Sequence, residues 1–160
     1  MALDQGALQA SRCGRPDMNR RIFVNRSDDD VVAIGGFRTP FSKYGGALKE
    51  WSSIDIGGYL LPRALHGLGL DPQRVDYLIE ATAFQPEAAS HTNILARQMI
   101  IKAGLPLSIP SITIDVASCS GLAAVQLARS TILAGDADVV VAMGTEACSN
   151  TGYLLPASLP

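Results

Sequence analysis

Short apolar runs alternate with longer segments whose apolar residues recur at helical spacing, beginning at Val31. The short runs are rich in Val and Ile, which favours strands; they cover residues 31–37, 77–83, 109–117 and 137–146. The longer segments predict helices and cover residues 52–70, 92–105 and 121–135. The resulting order, β-α-β-α-β-α-β, predicts a layered α/β fold with a largely parallel mixed sheet and right-handed crossovers.

Local signals give the expected ends of these elements. Ser52 or Ser53 can cap the first helix, and Gly67 or Gly69 can end it. Pro62 lies inside this helix and should kink it or restart it. The last strand is a continuous apolar run, so we expect both of its faces to be covered.

Composition indicates a globular protein and excludes several classes of partner. The 160 residues are 48% hydrophobic and 18% charged, with a formal net charge of −2. This balance gives no reason to expect nucleic acid or an anionic membrane as a partner, and no apolar run approaches the roughly 18 residues of a membrane span. Three scattered cysteines predict neither a disulfide framework nor a metal site. We expect a cytoplasmic, reducing compartment, and a partner chain over some of the apolar surface.

The first 30 residues differ from the rest of the chain. They hold five arginines and the run Asp28-Asp29-Asp30, without apolar periodicity. Asp4 and Asp17 interrupt the basic character that a transit peptide would need. We therefore expect a disordered extension over 1–30 and one domain over 31–160.

One stretch, "DVASCSGLAAV", carries the candidate chemistry at a predicted strand-to-helix bend. At a helix N-terminus, free N–H groups and the helix dipole favour negative charge. Such a place lowers the pKa of a thiol and can hold an oxyanion. Ser118 and Cys119 are both possible nucleophiles, and Gly121 lets a substrate approach the backbone. The bend suits covalent acyl transfer. A purely structural bend, with a buried Cys and an N-capping Ser, would have the same sequence.

Motifs along most of the chain resemble the N-terminal domain of the thiolase family. They include "RTPFSKYGGALKE", "GLDPQRVDYLI", "ARQMIIKAGLP", "SGLAAVQLA" and "AGDADVVVAMGTEACS". The resemblance implies a five-layer α/β fold of two related halves, of which this chain holds the first and is incomplete at its C-terminal end. It also implies an acyl-coenzyme A thioester as substrate rather than a separate cofactor, Claisen-type carbon–carbon chemistry, a catalytic Cys that carries the acyl group, and pairing into homo-oligomers, dimers or tetramers.

The resemblance also assigns places to individual residues. The nucleophile motif of the family reads C-G-S-G-L, whereas this chain reads S-C-S-G-L, so Ser118 falls at the nucleophile's position. Cys119 remains the better nucleophile by chemistry, because a Ser hydroxyl needs a base. Successive residues entering a helix are about 100° apart, so we expect Ser118 to face the substrate cavity and Cys119 to turn away. His91 is implied to lie near substrate in the neighbouring subunit's site, and Glu146 and Cys148 near the nucleophile.

Two hypotheses of different classes remain. The first is the N-terminal half of a thiolase-like acyltransferase that forms or breaks a carbon–carbon bond between acyl-coenzyme A thioesters through a covalent acyl-enzyme. The alternative is a non-catalytic, thiolase-like subunit or fragment with a dimerisation or scaffolding role. The specific motifs favour the first hypothesis, and the Ser at position 118 favours the second.

Overall fold

The computed structural model describes residues 31–83 and 94–151 of the chain. Within them lie three strands and three α-helices. The strands are β1 (Tyr77–Thr82), β2 (Ser111–Asp115) and β3 (Val140–Gly144), and the α-helices are α1 (Ser53–Gly67), α2 (Leu95–Ala103) and α3 (Ser120–Leu133). Single 3₁₀ turns span Pro72–Arg74 and Cys148–Asn150. Six of the seven predicted elements are therefore confirmed.

The three strands form one parallel sheet in the order β2-β1-β3. Glu80 of β1 lies opposite Thr113 of β2 and Met143 of β3. Two apolar cores form around β1. Leu78 packs with residues of α1 and α2, and Ile79 and Ala81 pack with α3. The predicted α/β class with parallel strands is confirmed.

The predicted first strand, Val31–Phe37, is wrong. These residues form no strand in the structure, and the side chains of Val32, Ile34 and Phe37 are exposed. They line a groove of about 410 Å³ with α1, α3 and β3 instead of pairing with a described strand. An apolar run becomes a strand only where a neighbour satisfies its backbone N–H and C=O groups, and residues 31–37 pair with no described strand.

The same groove corrects the expectation that both faces of β3 are covered. Val140, Val141, Ala142 and Met143 are only half-buried and line the groove. Their apolar side chains pack on the cores around β1, yet part of each stays accessible. A continuous apolar strand is expected to be buried on both faces, and the described residues bury β3 only in part.

Helix α1 begins at a capping box. The Ser52 hydroxyl accepts a hydrogen bond from the Asp55 N–H at 2.9 Å, and the Asp55 carboxylate accepts one from the Ser52 N–H. Lys102 of α2 adds an ion pair to Asp55 at 2.7 Å. Hydrogen bonds from Lys102 and Ser52 hold the pKa of Asp55 below its usual value. Cap and ion pair together fix the start of α1 against α2.

Pro62 lies inside α1 without ending it, so the predicted restart is not observed. The flanking Leu61 and Leu65 are both buried in the core that α1 shares with α2. Their burial offsets the roughly 3 kcal/mol that an interior proline costs a helix. Gly67 is the last helical residue, and Gly69 follows with φ +65°.

Close packing of α1 on α2 depends on two adjacent glycines. A Cβ added at Gly57 would overlap the Met99 side chain, and one added at Gly58 would overlap Lys102. Met99 is fully buried, so it has little room to move aside. The absence of a side chain at position 57 therefore sets how closely the two helices approach.

We expect Gly57→Ala to lower the free energy of unfolding by about 1–2 kcal/mol. Overpacking a tight core costs about 1–3 kcal/mol, whereas the better helix propensity of Ala returns up to about 1 kcal/mol. Denaturant unfolding followed by circular dichroism measures the change. The matched control is Gly121→Ala in α3, where an added Cβ meets nothing. Equal or greater stability of Gly57→Ala would contradict the packing argument.

Candidate functional site

A cavity of about 460 Å³ lies at the carboxyl ends of β1 and β3 and beside the start of α3. Its lining comes from four parts of the chain. These are residues 39–44 with Leu48 and Ile56, residues 81–83 after β1, residues 117, 118, 120 and 121 at the start of α3, and residues 144–149 after β3. The carboxyl edge of a parallel sheet is where α/β folds usually bind ligands.

The bend from β2 into α3 is held by side chains from both of its ends. The Asp115 carboxylate accepts a hydrogen bond from the Ala117 N–H at 2.9 Å. The buried Ser120 hydroxyl accepts from the Val116 N–H at 2.8 Å and donates to the Ala117 carbonyl at 2.7 Å. Ala117 has φ 56°, a left-handed conformation that is unfavourable for a residue with a Cβ. These hydrogen bonds hold the strained residue directly before Ser118.

Ser118 and Cys119 differ in their relation to the cavity. Ser118 is exposed and lines the cavity, whereas Cys119 is exposed and is not among the lining residues. Cys119 is the N-cap residue of α3 and makes no side-chain capping bond. Ser118, the one of the two that lines the cavity, is also the residue that falls at the nucleophile's position in the motif C-G-S-G-L.

The start of α3 can supply hydrogen-bond donors to the cavity. Gly121 lines the cavity in the first turn of α3, where an added Cβ would meet nothing within 4 Å. N–H groups of a first helical turn have no partner inside the helix, and the helix dipole adds positive potential there. An anionic group at Ser118 would be stabilised by this arrangement.

The opposite wall follows β3. Glu146, Cys148 and Ser149 line the cavity there, and the Ser149 hydroxyl accepts a hydrogen bond from the Gly45 N–H at 2.9 Å. The Glu146 carboxylate accepts from the Thr82 hydroxyl at 3.1 Å and from the Ala83 N–H at 2.7 Å. These hydrogen bonds connect Glu146 to the end of β1 and Ser149 to the segment that contains Gly45.

A buried acid lies beneath this wall, and sequence reasoning missed it. Glu80 of β1 is fully buried, and its carboxylate accepts a hydrogen bond from the Thr145 hydroxyl at 3.0 Å. Burial, reinforced by repulsion from Glu146, outweighs the hydroxyl donors and raises the pKa of Glu80 to about 7. The available signal was a single charged residue within the apolar strand "YLIEAT".

Comparison with known proteins decides the family. Residues 31–159 match the family model described as "Thiolase, N-terminal domain". The chain belongs to the thiolase family. It is 38% identical to an acetyl-CoA acetyltransferase from Cupriavidus necator and 35% identical to one from Syntrophomonas wolfei. The alignments cover 81% and 79% of this chain but 32% and 31% of the relatives, so it spans about a third of the length of these thiolases.

Solved thiolase structures share the fold. A crystal structure of the Acat5 thiolase from Ascaris suum in complex with coenzyme A aligns with a TM-score of 0.70 at 25% identity. The acetyl-CoA acetyltransferase from Bacillus anthracis aligns with a TM-score of 0.67 at 31% identity. The matches cover 76% and 74% of this chain and 31% and 29% of those structures. The expected thiolase resemblance is therefore confirmed.

Three other polar residues have no shown connection to this cavity. His91, implied by the thiolase resemblance to lie near substrate, lies outside the described residues, so its role stays a prediction. His66 is exposed near the end of α1. Arg97 of α2 donates to the carbonyls of Ile109 and Leu107 at 3.0 and 2.6 Å, a structural role.

Two other kinds of site have no candidates among the described residues. Residues 31–83 and 94–151 contain no group of three or more His, Cys, Asp or Glu side chains that could hold a metal ion. No helix in these ranges has the length and apolar character needed to cross a membrane.

We expect Ser120→Ala to lower the free energy of unfolding by about 1–3 kcal/mol. The change removes both hydrogen bonds of the buried Ser120 hydroxyl, one accepted from the Val116 N–H and one donated to the Ala117 carbonyl, and each such bond contributes about 0.5–1.5 kcal/mol. Ser130→Ala is the matched control in the same helix, because its hydroxyl donates to the Gln126 carbonyl at an exposed site. Denaturant unfolding compares the two variants. Equal effects of both changes would mean that the Ser120 hydroxyl does not hold the bend.

Proposed function

We propose that this chain is the acyl-accepting part of a thiolase-type acyltransferase that acts on acyl-coenzyme A thioesters. The observation that carries the proposal is the position of Ser118, which lies in the cavity at the positive end of α3. The relatives named acetyl-CoA acetyltransferases, and the Ascaris thiolase solved with coenzyme A, support an acyl-coenzyme A substrate. Gly121 would lie beside the bound thioester.

The proposed first step is acyl transfer to Ser118. The hydroxyl oxygen attacks the thioester carbonyl, the carbon–sulfur bond breaks, and coenzyme A leaves as the thiol after taking up a proton. The hydroxyl proton passes to a base. The N–H groups at the start of α3 stabilise the negative charge on the carbonyl oxygen. The second step, carbon–carbon bond formation or thiolysis, then releases the acyl group from the ester.

The described residues provide no evident base for the proton transfer that this step needs. The free hydroxyl of a serine has a pKa far above 7, so helix-dipole stabilisation alone does not ionise it. The Ser118 hydroxyl makes no hydrogen bond to a described residue that could serve as its base. We propose that the base comes from the part of the thiolase fold that this chain does not cover. The 160-residue chain alone should then show no turnover.

The alternative is a non-catalytic thiolase-like subunit with a dimerisation or scaffolding role. The observation that favours it is the serine at the position where the family motif has its cysteine. With a serine at position 118 and no base beside it, the cavity keeps its shape but contains no reactive nucleophile at that position. Both functions predict binding of an acyl-coenzyme A, and only the first predicts a covalent adduct.

Ser118→Cys tests whether position 118 is placed to accept an acyl group. We expect this variant to accept an acyl group from acetyl-coenzyme A at position 118 at least tenfold faster than at Cys119 or Cys148. Position 118 both lines the cavity and lies at the positive end of α3, whereas Cys119 lies outside the cavity lining and Cys148 lies on the opposite wall. Peptide mass spectrometry locates the adduct. Ser118→Ala is the control and should carry none at 118. Faster labelling of Cys119 would show that alignment with the thiolase motif assigned the wrong residue as nucleophile. No labelling at all would favour the scaffolding role.

We also propose that the chain forms homo-oligomers, either dimers or tetramers. Helix α3 buries Ala124 and Ala128 against the sheet but exposes Leu122, Val125 and Leu133 on its other face. A helix that is apolar on both faces is normally covered on both. Burying this face contributes about 25 cal/mol per Å² of apolar area, and the edge strand β2 can pair with another strand.

We expect light scattering of the 160-residue chain to show dimers or larger species. The double variant Leu122→Lys with Val125→Lys should shift the distribution toward monomer, because both positions would then carry charge. Ile101→Lys on α2 is the control, an exposed apolar position on a different helix. A monodisperse monomer at high protein concentration would contradict the proposal.

A further inference from the structure

The groove beside β3 lies at the open edge of the sheet. Its lining includes β3 but no residue of β1, so it is on the side of β3 that faces away from β1. The core that contains α1 residues packs with Val141 and Met143, whereas the core that contains α3 residues packs with Val140 and Ala142. Helices α1 and α3 therefore cover opposite faces of β3, and both also line the groove.

The walls of this groove, which has a volume of about 410 Å³, are apolar. Leu61 and Leu65 line it from α1, and Ala128 and Ile132 line it from α3. Arg129 is the one charged residue in the described lining. An occupant between the two helices meets apolar side chains on both of its faces, so it should be apolar on both, because burying a polar group without a partner is costly.

The backbone of β3 adds a second requirement. The Val139 carbonyl accepts from the Asp76 N–H at 2.9 Å, and the Thr145 N–H donates to the Ala81 carbonyl at 3.1 Å, so residues 139 and 145 direct these groups toward β1. Successive residues of a strand alternate in this direction. Val140 and Ala142 therefore direct their N–H and C=O groups away from β1, where no described strand pairs with them.

Residues 31–37 border the groove without pairing with β3. A Cβ added at Gly35 would overlap Leu68, and one added at Gly67 would overlap Phe37, so this segment packs closely on the end of α1. It forms no strand in the structure. The outward backbone groups of β3 are thus left for another segment of polypeptide.

We propose that the groove accepts one extended polypeptide strand, apolar on both faces, which bonds to Val140 and Ala142 and extends the sheet beyond β3. The strand comes from polypeptide outside residues 31–151. This chain matches 32% and 31% of the length of two thiolase relatives, so most of a thiolase lies outside it and is long enough to supply such a strand. The proposal concerns the edge of the sheet and does not depend on acyl transfer at Ser118.

A polypeptide fits this groove better than a hydrocarbon ligand does. A fatty acyl chain would cover the apolar walls but would leave the N–H and C=O groups of Val140 and Ala142 unpaired, and burying such groups without partners is costly. An added strand satisfies both the walls and the backbone, which is the mode of binding by which peptides extend an open sheet edge.

Peptide binding tests the chemistry of the occupant. The probe is the fluorescein-labelled peptide Lys-Lys-Val-Val-Ala-Val-Val-Lys-Lys, whose apolar run matches the five residues of β3. We expect its fluorescence anisotropy to rise on titration with the 160-residue chain. Two comparison peptides should bind at least tenfold more weakly. One has Pro in place of Ala and lacks the central N–H donor, and the other has Ser at the second and fourth apolar positions and is polar on one face. Equal affinity for all three peptides, or no binding of any, would overturn the proposal.

Hydrogen exchange followed by NMR locates the bound strand. The amides of Val140 and Ala142 should exchange at least tenfold more slowly at saturating peptide, and those of Val141 and Met143, which face β1, should change less. Binding without this protection would place the peptide elsewhere and overturn the proposal. Protection already present without peptide and lost on dilution would mean that a second copy fills the groove. Displacement of the peptide by laurate, with no protected amide in β3, would favour a hydrocarbon ligand; either result also counts against the proposal.

Ala142→Pro tests the backbone contact directly. Proline removes the N–H that faces the groove and leaves the bonds to β1 in place, as is tolerated in edge strands. We expect at least a tenfold loss of affinity for the apolar peptide. Ile101→Lys, at an exposed position on α2, is the matched control and should keep wild-type affinity. Wild-type affinity in Ala142→Pro would contradict strand addition at β3, and the exchange experiment on wild type remains decisive if this variant does not fold.

Discussion

The parallel direction of the three strands is the constraint on which the rest of the structure depends. Parallel strands end at the same edge of a sheet, so the segments after β1, β2 and β3 meet there. That edge brings together Thr82, Ser118 and Glu146, which are far apart in sequence. Crossover helices are needed to return the chain, and α3 begins at this edge for that reason. The position of the cavity thus follows from the topology of the sheet and does not depend on which side chains line it.

The order and type of most elements followed from periodicity. Strands β1 to β3 and helices α1 to α3 lie where the alternating pattern predicts them, because each buries an apolar face against a neighbour present in the chain. The segment 31–37 has the same apolar character but pairs with no strand among the described residues. Strand formation is a property of a pair of segments, so a single run cannot decide it. Pro62 did not restart α1, and burial of Leu61 and Leu65 offsets its local cost to the helix.

The candidate site was predictable in part. Local geometry, about 100° between successive helical residues, was enough to expect Ser118 and Cys119 to face in different directions, and only Ser118 lines the cavity. The left-handed Ala117 and its clamp by Asp115 and Ser120 had no sequence signal, because alanine is an uncommon residue in that conformation. Glu80 was missed for a related reason: its effect depends on burial and on Thr145, 65 residues away.

The chemistry of the site reflects a division between charge stabilisation and proton transfer. The bend is held by the hydrogen bonds of Asp115 and Ser120, and the start of α3 carries the positive end of the helix dipole, so this part of the site can stabilise an oxyanion. Proton transfer needs a group whose pKa lies near the working pH. Glu80 has such a pKa, but it is buried beneath the wall and bonded to Thr145, away from the cavity lining. Under the proposed mechanism, a base for Ser118 would therefore come from outside the residues that the structure describes, because none of the described cavity-lining residues is bonded to its hydroxyl.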